Sequence, residues 1–264
     1  AWMLLKAVFQ PAEGYRIGEG RNQIVYGQEG DPDVTKVGRP ESLRHMYIHQ
    51  LLSGMPYSFF AGQSPIAQTM DLPMEAQSKV GEAAVPILSQ QERGIPLEEG
   101  ESEVSDALRG RYIADAIYDM PGERGRLLEA LGLSDVKPPN WMQSMNNRGT
   151  PVSQVTGNPL HSGYAVIHDP MFYGSDNPSD FEERMNAIAA RGTPRRLGID
   201  YTIPEDVKQL FARRVDELPF EQFTQPVFDY EVPMSAAQEG LLHDQYRLQE
   251  DNLQSMLGRI GVLG

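Results

Sequence analysis

The chain of 264 residues contains no cysteine, which excludes disulfides, thiolate metal sites and cysteine nucleophiles and fits a reducing compartment. Positive charge is also scarce: 23 Lys and Arg stand against 37 Asp and Glu, a formal net charge of -14. A general nucleic-acid binder needs clustered cations to neutralise phosphates, so that class is set aside apart from a local basic cleft. Long apolar runs are missing. The longest, such as AWMLLKAVF, fall far short of the roughly 20 residues of a membrane-spanning helix, and this one lacks the apolar core of a signal peptide. It is assigned no targeting role, no membrane partner is expected, and the sequence is of a cytoplasmic type. No internal repeat or low-complexity tract occurs.

Hydrophobic residues make up 40% and aromatics 8%, enough for a folded core, and the length allows one large domain or two lobes around a cleft. Residues 15–38, YRIGEGRNQIVYGQEGDPDVTKVG, predict an antiparallel three-strand meander, with turn signals around Gly18 to Gly20 and at Gly30-Asp31-Pro32. PESLRHMYIHQLL predicts a helix, with Pro40 in its first turn and Leu43, Met46, Ile48 and Leu51 in a partly helical period. Between 53 and 84 only a strand around 67–72 is predicted. AAVPILSQQERGIPL then supplies an apolar run followed by a polar connector, 90–94, suited to a junction between lobes.

Further helices are predicted over 105–118, 122–131, 179–190, 204–216 and 236–257, the second of them stopping at Gly132. YAVIHDP adds a short buried strand that ends at Asp169. The 236–257 helix is amphipathic, through Leu241, Leu242, Leu248, Leu253, Met256 and Leu257, and is expected to dock on a second lobe.

Four motifs carry chemistry. Gly18-Glu19-Gly20 precedes the strand Ile24-Val25-Tyr26; Lys36 lies in the third strand, Val34-Thr35-Lys36-Val37; Asp135-Val136-Lys137-Pro138-Pro139-Asn140 follows a helix end; and Asp169 opens Asp169-Pro170-Met171 after a strand. Each has an ordinary counterpart when taken singly: a glycine hairpin, a solvated strand lysine, a proline-stiffened loop, an Asp-Pro turn. Together they supply, in order, the parts that phosphoryl transfer needs, namely a loop over phosphates, a cation, an acceptor for a hydroxyl proton, and carboxylate and amide oxygens for Mg²⁺.

The combined pattern, running from about Tyr15 to Met171, resembles the eukaryotic-like protein kinase family, most closely the small early serine/threonine kinases of short-tailed bacteriophages. The resemblance implies an α+β, two-lobed kinase-like fold: residues 1–92 as a small antiparallel-sheet lobe and 93–264 as a mainly helical, reduced lobe. It implies ATP binding by Gly18, Gly20, Val25, Val34, Lys36 and Gln91, with Lys36 on the α and β phosphates. Asp135 would orient or deprotonate the attacking hydroxyl, Lys137 would neutralise the γ-phosphate, and Asn140 and Asp169 would hold Mg²⁺. A lysine two residues after the aspartate is the serine/threonine-kinase choice. The implied partner is a protein substrate, in a host bacterial cytoplasm if the chain is phage-encoded.

The sequence departs from that family's pattern in several places. Gln23 stands where a third glycine is usual, and Leu133-Ser134 replaces the usual His-Arg, so control through a phosphorylated activation loop is not expected. The helix after Lys36 offers only Glu41 as an acidic partner, five residues on, which leaves the usual Lys–Glu pairing unassigned. Residues 142–163 form an insertion between Asn140 and Asp169. Gly192-Thr193-Pro194-Arg195 and Pro204-Glu205 resemble a substrate-positioning segment, with solvated flanking charges as the alternative. His45 and His49, four apart, share a helical face but have no second cluster to complete a zinc site, and are read as packing or surface residues, while His161 and His168, which flank the candidate metal-binding strand, are read as structural. Two other functions stay open: a catalytically inactive kinase-like module that binds a host or phage protein, and a transferase acting on a small molecule or transferring AMP.

Overall fold

A computed structural model describes residues 15–19, 23–27, 33–55, 60–68, 72–80, 85–96, 127–128, 130–134, 141–144, 165–168, 170–172 and 203–263. Within it, β1 (Tyr15–Glu19), β2 (Ile24–Gly27) and β3 (Asp33–Gly38) form the antiparallel meander that the turn residues predict. They join β4 (Gln63–Pro65) and β5 (Ile87–Glu92) in a five-stranded antiparallel sheet of order β1-β2-β3-β5-β4. A three-stranded sheet joins β6 (Gly94–Pro96), β8 (Trp141–Ser144) and β9 (Ala165–Ile167). A separate pair joins β7 (Leu133–Ser134) to β10 (Met171–Phe172). The architecture is mixed α+β.

Strand alternation divides the five-stranded sheet into two unlike faces. Ile24, Tyr26, Val37 and Leu88 lie on one face and pack with Leu72 and Ala76, the latter from α2 (Met74–Val80), into a small apolar cluster. Tyr26 Oη reaches across to donate to Glu75 Oε1 at 2.9 Å. The opposite face carries Val25, Val34, Lys36, Ser89 and Gln91, which are ladder partners or same-side neighbours of one another.

A 3-10 turn, Pro40–Ser42, leads into α1 (Leu43–Ser53), where Leu43, His45, Met46, Tyr47, Ile48, His49, Leu51 and Leu52 are all buried. A helix apolar on every side has to be enclosed on every side. The enclosing elements are α3 (Glu205–Glu217), α4 (Phe220–Phe228) and α5 (Ala236–Arg259), with Phe60, Ile87, Leu127, Leu128, Leu131, Leu133, Ile167 and Phe172, in one continuous core. That core draws residues from both sides of position 92. Tyr47 ties the helix to the C-terminal elements: its hydroxyl donates to Leu218 O at 2.8 Å, and its ring meets Phe220 at 5.2 Å and Phe223 at 5.3 Å. Two further details close the layer. The Glu231 N–H donates to Gln68 O, and a reciprocal capping box between Ser235 and Gln238 starts α5.

Several expectations shift. The strand placed at 67–72 lies instead at Gln63–Pro65, while Ala67 and Gln68 are outside any strand. Gln-Ser-Pro has little strand propensity, but β4 is an edge strand, where the missing N–H of Pro65 breaks no ladder. The connector at 90–94 is almost wholly strand, with Arg93 alone between β5 and β6, because both neighbouring sheets recruit its backbone. The C-terminal helix packs on α4, where Phe220 and Phe228 meet Tyr246 and His243, and in addition on α1 and the turn before it, since α1 has apolar surface to cover on that side. α4, unpredicted, forms between Pro219 at its N-cap and Pro226 in its last turns, two prolines that read as breaks in sequence. The predicted stop at Gly132 coincides with a positive φ of 66° there, after a helical turn closed by Leu131 N–H to Leu127 O. The helices expected at 105–118 and 179–190, and Gly192 to Arg195, lie outside the described residues.

Leu51→Ala, which empties a fully buried site in the core around α1, is expected to cost about 2–5 kcal/mol in urea unfolding. Met74→Ala, at a residue 82% exposed, is expected to stay within about 0.5 kcal/mol of the parent.

Candidate functional site

The face of the sheet turned away from α2 is built from register. Gly18 is opposite Val25, Val25 opposite Lys36, Lys36 opposite Ser89, and Val34 opposite Gln91, so five of the expected nucleotide-binding positions share one side of four strands. A Cβ placed on Gly18 would meet Val25 at 3.9 Å, in agreement with that register. Gly20, the sixth position, lies outside the described residues.

This face is polar although it is buried. Lys36 is 3% exposed, Ser89 2%, Gln91 2% and Gln63 7%. Uncompensated burial of such groups is costly, so their bonds matter. Gln63 Nε2 donates to Ser89 Oγ at 2.6 Å, and Gln91 Oε1 accepts from His168 Nδ1 at 3.2 Å. Gln91 Nε2 is buried and has no hydrogen-bond partner among the described residues. The result is a row of side-chain donors and acceptors running from β3 across β5 to β4, continued by His168 just after β9.

His168 sits against β6. A Cβ on Gly94 would lie 2.7 Å from His168 Nε2 and still closer to Met142 Cβ, so the strand leaving the first sheet passes the other two without room for a side chain at that point.

Asp135, Lys137, Asn140 and Asp169 lie outside the described residues. Their flanks do not. Ser134 is the ladder partner of Met171, and Trp141 is the ladder partner of Ile167. The stretches 135–140 and 168–170 therefore each run between the same two strand pairs, β7–β10 at one end and β8–β9 at the other.

Both ends of the second stretch are held by α1. His45 Nδ1 accepts from Phe172 N–H at 3.0 Å, and His49 Nε2 donates to Ile167 O at 3.2 Å, an oxygen that also accepts from Ala61 N–H at 3.2 Å. Phe60 stands between them, its ring 5.5 Å from His49 and 6.1 Å from Phe172. Burial, followed by the nearby Arg44 charge, lowers the pKa of His45 to about 4, and the bond it accepts requires an unprotonated Nδ1. His45 is thus a neutral acceptor, and both histidines are buried hydrogen-bonding groups of the interior rather than surface residues. Their helical spacing was the available signal in sequence; the partners were not, since they are backbone groups more than a hundred residues away.

Among the described residues no group of three or more His, Asp or Glu is arranged to hold a metal ion, and Glu41, in the turn before α1, is exposed. No helix among the described residues is long and apolar enough to cross a membrane. No family model matches the chain, and no curated protein matches it in sequence.

Two outcomes are expected from this geometry. Gly94→Ala should lower stability by about 1–3 kcal/mol through overpacking of β6 against Met142 and His168, measured by thermal unfolding. Because the folded pKa of His45 is below its unfolded value of 6.5, the stability tied to its neutral form is present above pH 6.5 and lost as pH falls toward about 4. Relative to His45→Asn, the parent should lose on the order of 3 kcal/mol across that window in urea titrations at successive pH values.

Proposed function

We propose that the chain is an ATP-dependent serine/threonine protein kinase with a two-lobed kinase-like fold, residues 1–92 forming the small lobe and 93–264 the larger. The observation that carries this reading is the common sheet face of Gly18, Val25, Val34, Lys36 and Gln91, with α1 inserted between β3 and β4 and the two motif-bearing stretches spanning the same pair of ladders.

The chemistry suits those residue types. A triphosphate is a polyanion, and Lys36 is the cation of the face. Gly18 leaves backbone free to approach phosphate oxygens. Val25 and Val34 offer apolar contact to a base, and the Nε2 of Gln91 offers a donor. Asp135 places the attacking hydroxyl and accepts its proton, and Lys137 offsets charge developing on the transferred group. Asn140 and Asp169 supply amide and carboxylate oxygens of the kind Mg²⁺ prefers; the ion contributes charge neutralisation on the phosphates when bound. In this reading the substrate is a host bacterial protein and the site of action the host cytoplasm.

A second reading, a non-catalytic kinase-like module that binds a host or phage protein, is favoured by one feature. α1 carries no acidic residue to pair with Lys36.

Incubation of the purified chain with γ-labelled ATP, Mg²⁺ and a bacterial lysate is expected to label protein, and Asp135→Ala to remove at least 99% of that transfer while ATP binding by thermal shift persists. Transfer at the parent rate by Asp135→Ala defeats the kinase reading. Absence of any magnesium-dependent thermal shift with ATP favours the binding module.

A further inference from the structure

We propose that His45 and His49 are positioning residues: the pair anchors the chain on both sides of Asp169 to helix α1, and so couples the placement of that carboxylate to the helix. The inference rests on the phosphotransfer reading for the role of Asp169, but its geometry does not.

The two histidines are one helical turn apart and project toward the same stretch of chain. His45 takes the N–H of Phe172 and His49 gives its Nε2–H to the carbonyl of Ile167, so the residues bonded to them bracket 168–171. Both anchor points are firm. Ile167 is 1% exposed and Phe172 0%, and Ile167 O is shared with Ala61 N–H, which joins the segment before β4 to the same oxygen.

The helix that carries the histidines is itself immobilised. Tyr47, between them, is bonded to Leu218 O and packed against Phe220 and Phe223, while Leu43, Ile48 and Leu51 are fully buried. A shift of α1 along its axis would therefore break contacts with the C-terminal helices and both histidine bonds together. In a helix that lacks a carboxylate to reach Lys36, these bonds give it a direct mechanical hold on the metal-binding segment.

The chemistry also defines conservative replacements. At position 45 the requirement is an acceptor at the place of Nδ1, which Asn Oδ1 supplies. At position 49 it is a donor at the place of Nε2, which Gln Nε2 supplies. Leucine fills either site while removing the bond.

The test compares His45→Asn and His49→Gln with His45→Leu and His49→Leu in the full chain. Two readouts are taken: amide hydrogen exchange at Phe172 without nucleotide, and the Mg²⁺ concentration giving the half-maximal ATP-dependent thermal shift. Exchange at Phe172 is expected to rise at least tenfold in His45→Leu and to stay near the parent in His45→Asn. The magnesium requirement should rise several-fold in both Leu variants and return toward the parent value in the Asn and Gln variants. Parent-like exchange in His45→Leu overturns the anchor, as does an Asn or Gln variant as impaired as its Leu counterpart, which would make shape rather than the bond the cause. A parent shift that the Leu variants leave unchanged refutes the positioning role alone. A parent chain with no magnesium-dependent shift refutes the phosphotransfer reading and the positioning role with it, while exchange at Phe172 still reports whether the anchor exists.

Discussion

Helix α1 has no side to give to water, and much of the arrangement follows from enclosing it. Eight of its residues are buried, on every side of the helix, so sheet and strands on one flank and the C-terminal helices on the other are drawn onto it. The Tyr47 hydroxyl meets a carbonyl at the junction between α3 and α4, which satisfies a polar atom that the packing would otherwise strand. The same enclosure explains why α5, amphipathic and capped at its own N-terminus, lies against the N-terminal part of the chain.

The five-stranded sheet performs a second division. Period-two alternation sends Ile24, Tyr26, Val37 and Leu88 to one side and Val25, Val34, Lys36, Ser89 and Gln91 to the other. One side closes with α2 into a dry cluster, and the other keeps an ammonium and two amides out of water. Retaining polar groups in such a place works against stability unless each is bonded, which is why the Gln63–Ser89 and Gln91–His168 contacts matter as much as the residues singled out for chemistry.

Local patterns were legible where local physics dominates. Glycine turns and β-branched residues mark β1 to β3, the helical period marks α1, α3 and α5, and Gly132 marks a helix end with the positive φ that glycine tolerates best. Where an element owes its existence to neighbours, the pattern misleads. Gln63-Ser64-Pro65 is a strand because β5 offers it an edge, and α4 persists with prolines at both ends because Phe220, Phe223 and Val227 are buried against α1 and α5.

Of the candidate site, the residue types and their order along the chain could be read directly, since glycine near a turn, lysine in a strand and aspartate beside asparagine are local chemical statements. That Gly18, Val25, Val34, Lys36 and Gln91 share a face was implicit in alternation once the strands were paired, but the pairing of β3 with β5 joins residues far apart in the chain and is set by the ladder. The spacing of His45 and His49 put them on one helical face, but the roles of His45, His49 and His168 could not be read from it. Each is defined by a partner distant along the chain, a backbone group or an amide, and a histidine's bond is chosen by whatever packing brings within 3 Å or so of its ring.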